Sequence, residues 1–368
     1  MWPERCGGRV AKAGPHPTFL PPWSTRSTYR DTHESLGHSG LKVSRIILGC
    51  MTFGSKNWSE WLLDEEESLE IIRHAYEKGI NTWDTADVYS NGKSEVIVGK
   101  ALTKFQIPRN RVVIMSKCHF GVSDDMEQGP AFLSPNDGEF VNRVGLSRKH
   151  IFDAVEASVK RLGTYIDVLQ IHRLDRETPK EEIMRALNDV IEKGWVRYIG
   201  ASSMAAWEFQ QLQNIADKHG WHKFISMQNF YNLLYREEER EMIPYCKATG
   251  VGLVPWSPIA RGVLARPWSD RSSKRESSDG MLQRLLRNSA KEADQTITDR
   301  VEELAKKKGV SMPQIATAWT LAKGTYPILG INKLERVDEA VGALQVKLSP
   351  DEMAFLEEPY VPKPVAGY

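Results

Sequence analysis

The segment GINTWDTADVYSNGKSE, residues 79–95, sets a carboxylate, Asp84, at the end of an apolar run and a phenol, Tyr89, just beyond it. Two later apolar runs end in an ammonium, Lys117 (VVIMSK), and an imidazole, His172 (DVLQIH). These four groups are the parts needed to protonate a carbonyl oxygen. A free tyrosine, with a pKa of about 10, is a poor acid at neutral pH. A cation against its oxygen stabilises the phenolate and lowers that pKa, and Lys117 can be that cation. Asp84 beside Lys117 would keep the ammonium charged in a buried place. A neutral His172 can donate one N–H to the carbonyl and help direct it. Taken singly, each has a plainer explanation: Asp84 a helix cap, Lys117 a solvated strand end, His172 a core histidine. Their ordered placement on successive strand ends favours the shared site.

The elements that must position them recur in one pattern. A helix ends at glycine and a short apolar strand follows. Helices are expected at 64–78, 147–162 and 178–193, ending at Gly79, Gly163 and Gly194. The last has Thr178 as expected N-cap, Pro179 at the first helical position and Glu181 completing a capping box. Strands are expected at 45–49, 80–84, 112–117, 166–172, 197–202, 224–228, 252–256 and 327–331. They are nearly continuous apolar runs, as when both faces of a sheet are covered. Eight such units predict an α/β fold, a single (β/α)8 TIM barrel over 36–368 with a C-terminal tail. An open doubly wound sheet would carry a glycine-rich phosphate loop after the first strand; the sequence there is GCMTFG. Long loops at 118–146 and 263–295, after strands 3 and 7, lie on the face where barrel sites are built.

Composition narrows the function classes. The 368 residues are 41% hydrophobic, enough for a full core, and 49 basic residues against 48 acidic leave no field for nucleic acid or an anionic membrane. No apolar run of about 18 residues exists to span a bilayer. The cysteines Cys6, Cys50, Cys118 and Cys246 form no paired motif and suit reduced thiols in a cytoplasmic protein. No metal-ligand spacing is present. Residues 1–35 are rich in proline and basic residues, lack an apolar period, and read as a disordered extension.

A hydride for the carbonyl carbon must come from a cofactor. Ser203 and Gln228 can bond a carboxamide, and Trp256 offers a flat face to a nicotinamide ring. After the eighth strand, INKLERVDEA starts a helix whose first N–H groups, with Asn332, Lys333 and Arg336, suit a phosphate. Arg336 favours a 2′-phosphate and hence NADPH, with NADH as the other choice.

The segments INTWDTADVYSNGKSE, VVIMSKC, YIDVLQIHRLD, VRYIGASS, SMQNFYNLLYR, VPWSPIARGVL and PILGINKLERVDEA stand in the order of the aldo-keto reductases, which the chain resembles over about 36–358. The resemblance implies Tyr89 as the acid, Lys117 and Asp84 as its tuning pair, and His172 at the carbonyl. It implies cofactor contacts from Met51, Thr52, Asp84, Ser202, Ser203, Gln228, Trp256, Ser257, Ile259, Arg261, Gly262, Asn332, Lys333, Arg336 and Glu339. EASVKRLGTYIDVLQIHRLD and YNLLYREEEREMIPYC look like a fungal branch, some of whose members serve secondary metabolism. The chain departs from the family at Ser203, Ala340 and Gly330–Ile331, where asparagine, asparagine and a lysine-serine pair are usual.

The partner is therefore expected to be a small carbonyl compound. Phe53, Trp58, Phe120 and Tyr231, with Tyr89 and His172, are expected to bind it, and Trp61 and Phe230 are further aromatics for the mouth. Two other readings stay open: a redox-sensing cofactor-binding regulatory subunit, and an alcohol dehydrogenase running in the oxidative direction. Oligomeric state is left open.

Overall fold

Alternation of glycine-stopped helices with short apolar strands closes on itself in three dimensions. The computed structural model describes residues 32–131, 133–287 and 291–368. A hairpin of β1 (His33–Ser35) and β2 (Lys42–Ser44) precedes eight parallel strands: β3 (Ile47–Gly49), β4 (Thr82–Asp84), β5 (Val113–Cys118), β6 (Ile166–Ile171), β7 (Val196–Ser202), β8 (Phe224–Gln228), β9 (Gly252–Leu253) and β10 (Ile328–Gly330). Strands β3 to β9 pair in chain order and β10 pairs with β3. Past β9 the backbone bonds across to β10, with Tyr326 N–H on the Leu253 carbonyl and Ile328 N–H on that of Pro255, both 2.9 Å. The architecture is the expected (β/α)8 barrel, with helices covering the outer face.

The period of two along each strand sorts its residues. On β5, Met115 belongs to the inner cluster with Val168, Ile47 and Val254, while Ile114 and Cys118 pack outward under the helices. Lys117 is two residues past Met115, and Gln170 is two past Val168, so both point inward one layer higher. The barrel interior is thus apolar below and polar at its C-terminal end.

The hairpin plugs the other end. Its Leu36 is fully buried in the inner cluster. The tip rests on Gly250, whose carbonyl accepts from His38 N–H at 2.7 Å. Gly250 has φ +74°, and a Cβ there would meet the His38 ring at 2.1 Å, so glycine is required twice over. Strand β1 lies within the stretch read as an extension, so that stretch is ordered structure from His33; residues 1–31, including Cys6, lie outside the described residues.

Two local expectations change. Helix Lys180–Glu192 has Pro179 at its N-cap, not Thr178, and no capping box. The Thr178 hydroxyl instead donates to Asp175 Oδ2 at 2.6 Å, a local alternative the hydroxyl takes before the helix begins. The segment after β9 is not a plain loop: it holds short turns at Ala260–Ala265, Lys274–Ser278 and Gly280–Leu282, and the long helix Lys291–Lys308 starts inside its expected end. Cys50, Cys118 and Cys246 are free and buried. Among the described residues no helix is long and apolar enough to cross a membrane.

Candidate active site

The polar layer at the strand ends is one hydrogen-bonded network. Lys117 Nζ donates to Asp84 Oδ1 at 2.5 Å, to the Thr85 carbonyl at 2.9 Å and to the Tyr89 hydroxyl at 3.1 Å. All three ammonium protons are therefore used. Asp84 Oδ2 accepts from Gln170 and from Gln228, each at 2.9 Å, and Gln228 also donates to Gln170 at 2.8 Å. Lys117 is fully buried and Asp84 nearly so. Burial would pull the ammonium down, but Asp84 and Tyr89 outweigh it and the net shift is upward.

Tyr89 reaches this network because the chain turns sharply after it. Ser90, Asn91 and Gly92 are all left-handed, with φ of 51°, 49° and 88°. Helix Lys93–Lys104 then starts at once. Glu95 in its first turn is fully buried between Ser116 and Arg161, at 2.5 and 2.6 Å, which fixes the turn from below. Asn91 holds it from the side: its amide donates to the carbonyls of Asp125, Gln128 and Gly129 and its oxygen accepts from Ser123 N–H, all in the long loop after β5.

The Tyr89 phenol does not end up below its ordinary value. Burial pushes it up; Lys117 pulls it down as expected, but Asp84 adds to the rise and the net is upward. His172 lies edge-on to Tyr89 with ring centres 5.7 Å apart. Burial, then the charges of Lys117 and Arg173, hold it far below 6.5, so the imidazole is neutral.

Asp84, Tyr89 and His172 line a cavity of about 190 Å³ together with Met51, Thr52, Trp58, Phe120, Arg173, Ser202, Gln228, Trp256, Ser257, Ile259 and Arg261. Thr52, Ile259, Arg261, Arg275 and Gly330 also line a chamber of about 620 Å³, where Gly262, Asn332, Lys333, Arg336, Arg266 and Lys56 are found. A third chamber of about 210 Å³ shares Ile259 and Gly330 with both and adds Glu339 and Ala340. The three form one elongated cleft over the ends of β9, β10 and β3. Its Tyr89 end is largely apolar and partly aromatic, with the Arg173 guanidinium in its wall; its far end gathers cations. The Arg266 Nε there is buried with no hydrogen-bond partner among the described residues. That shape and donor set fit a dinucleotide.

Several expected residues lie elsewhere. Phe53 is wholly buried in the core, because the turn Cys50–Thr52 directs it under the β3 end. Tyr231 is core too: its hydroxyl donates to Glu239 at 2.5 Å and its ring packs on Trp319. Trp61 lines the large chamber, where Arg275 stacks over it at 4.1 Å. Phe230 is buried behind Trp256, stacked at 4.5 Å, and so backs that ring without facing the mouth. Ser203 is buried, and its hydroxyl accepts from the Trp256 indole at 3.3 Å, so it positions Trp256 and is not part of the cavity wall.

The structure adds Gln170, Arg173, Arg275 and Asp279. Gln170 had a signal: a polar residue in an apolar strand, two before His172. Arg173 follows His172 in sequence. Asp279, which clamps Arg261 at 2.5 Å, sits in a segment with no strand or helix period to point to it.

The aldo/keto reductase family model matches residues 45–360. The chain belongs to the aldo/keto reductase family. It is 66% identical over 334 residues to the versiconal hemiacetal acetate reductase of Aspergillus parasiticus, covering 90% of this chain and 97% of that protein. It is 50% identical over 359 residues to an aldo-keto reductase of Metarhizium robertsii, covering 95% and 97%. An aldo-keto reductase of Alternaria alternata is 48% identical over 348 residues, covering 92% and 94%. As an aldo/keto reductase the chain is an oxidoreductase of a family that acts on small carbonyl compounds with a nicotinamide cofactor.

Proposed function

We propose that this chain is an NADPH-dependent reductase of aldehydes or ketones, with Tyr89 as general acid and an aromatic or polyketide-like carbonyl compound as substrate. The observation that carries the reading is the Lys117–Tyr89 contact at 3.1 Å, at the largely apolar end of a cleft whose far end is cationic. NADPH, when bound, supplies a hydride to the carbonyl carbon. Trp256 would face its ring, the Gln228 side-chain oxygen its carboxamide, and Lys333 and Arg336 its phosphates. Arg336 bonds Asn332 at 3.0 Å and pairs with no carboxylate among the described residues, which supports the 2′-phosphate form.

The residues then act in order. His172, neutral, donates an N–H to the carbonyl oxygen and aims it at Tyr89. Tyr89 gives its proton to that oxygen as charge develops there. Lys117, already bonded to the phenol oxygen, stabilises the phenolate left behind, and Asp84 keeps Lys117 charged. General acid catalysis of this kind is worth about 10²- to 10⁴-fold. Reduction of aromatic aldehydes is therefore expected with NADPH, more slowly with NADH, and Tyr89→Phe should lower kcat by about 10²-fold or more while cofactor still quenches tryptophan fluorescence. Equal activity of Tyr89→Phe and the parent protein would remove Tyr89 from the reaction. Of the Aspergillus relative it is its name that says it reduces versiconal hemiacetal acetate; a related fungal metabolite is the substrate class we infer here.

A further inference from the structure

Arg173 lines the same cavity as Tyr89, His172 and Phe120. One of its nitrogens, Nη1, donates to the His172 carbonyl at 2.6 Å. Among the described residues no carboxylate lies in ion-pair reach of it. Neighbouring arginines are matched: Arg143 with Asp124 at 2.7 Å, Arg176 with Glu208 at 2.7 Å, and Arg261 with Asp279 at 2.5 Å. The Phe120 ring lies beside the guanidinium, centre to Cζ 6.0 Å, and edge-on to His172 at 5.0 Å. Burial draws the guanidinium down to about 10, which leaves it charged at neutral pH. A half-buried cation with N–H groups to spare, in a largely apolar wall, is poised for an anion, and its planar fork matches a carboxylate. Cofactor phosphate is not that anion, since Arg173 lines neither chamber at the cationic end of the cleft.

We propose that Arg173 is an oxyanion subsite of the substrate pocket. It takes a carboxylate carried on the same molecule as the reacting carbonyl, whose flat body lies against Phe120. The anion also restrains the substrate so that its carbonyl stays between His172 and Tyr89. The orientation rests on the reductase reading above; the binding itself does not.

The test uses 3- and 4-formylbenzoate against their methyl esters, which keep the shape and lose the charge. At least one acid should exceed its ester in kcat/KM by about 10- to 100-fold, the worth of a charge-assisted hydrogen bond, and mainly through KM. In Arg173→Gln that ratio should fall to near one, and Arg173→Lys should restore part of it. In parallel, benzoate and benzamide are titrated against tryptophan fluorescence, since Trp58 and Trp256 line the cavity. Benzoate should bind more tightly, and only while residue 173 is a cation. Equal handling of acids and esters by the parent protein overturns the subsite. So does an Arg173→Gln variant that slows acids and esters by the same factor, which would make Arg173 a brace for the His172 backbone. Benzoate binding through Arg173 with no aldehyde reduced would sink the reductase reading and leave the subsite standing.

Discussion

Burial decides what Tyr89 and His172 can do. It raises the phenol above 10 and carries the imidazole well below 6.5, so over the neutral range one is a protonated acid and the other a neutral donor. Reduction should therefore hold a level kcat/KM from about pH 6 to 9 and decline only as Tyr89 ionises. A fall between about pH 6 and 7.5 would assign the proton to an imidazolium instead. Asp84 and Lys117 were legible from sequence as inward groups because each sits at the end of an apolar run, where period two forces its direction; Tyr89 lies five residues past Asp84 and is placed by the left-handed turn at Ser90, Asn91 and Gly92. Phe53 and Tyr231 were not legible, because an aromatic beside a strand end can turn to the mouth or to the core. The turn at Cys50–Thr52 and the Glu239 contact settle that, and neither is written in local spacing.

At the scale of elements, the site depends on how the long loop after β5 is tied to the Tyr89 turn. Asn91 makes that tie with four backbone groups, and asparagine also tolerates the left-handed φ of 49° there. Asn91→Ala loses both. It should cost about 1–3 kcal/mol and raise KM for carbonyl substrates more than it lowers kcat, because Phe120 and its loop lose their fixed position while Lys117 still meets Tyr89. Denaturant midpoints and a KM-against-kcat comparison check this; an unchanged KM would detach the loop from substrate binding. Barrel strands and their order were readable from the sequence because glycine stops and apolar runs alternate without a break. The hairpin β1–β2 was not: its strands are three residues each, polar and exposed on β1, and carry no periodic signal. The turns after β9 were hidden for a related reason, since a serine- and arginine-rich segment looks solvated whether or not Asp279 clamps it to Arg261.

Over the whole molecule, the C-terminal tail staples the segment after β8 to the helix Lys291–Lys308. Lys363 Nζ meets both oxygens of Asp294 at 2.6 and 2.8 Å, both side chains buried, and its backbone N–H donates to Glu237 at 2.8 Å. Further on, Ala366 N–H bonds the Tyr235 hydroxyl at 2.9 Å, and Gly367 approaches the Trp256 ring to 3.4 Å as measured from an added Cβ. Losing one partner of a buried pair leaves an uncompensated charge and costs about 3–5 kcal/mol, so Lys363→Met should be strongly destabilised. The deficit should depend on pH with a definite sign. Burial lifts Asp294 to about 6 while Lys363 opposes it, so removing Lys363 raises the folded value further above the unfolded one. A folded group that binds its proton more tightly than the unfolded chain loses stability as pH rises between the two values. Urea unfolding of Lys363→Met should therefore show a larger deficit at about pH 8 than at about pH 5. Adding Asp294→Asn should recover most of the loss at the higher pH, because the amide carries no charge to leave stranded. A deficit that is the same at both pH values, and untouched by Asp294→Asn, would mean that the tail is held by its backbone and aromatic contacts and not by this ion pair.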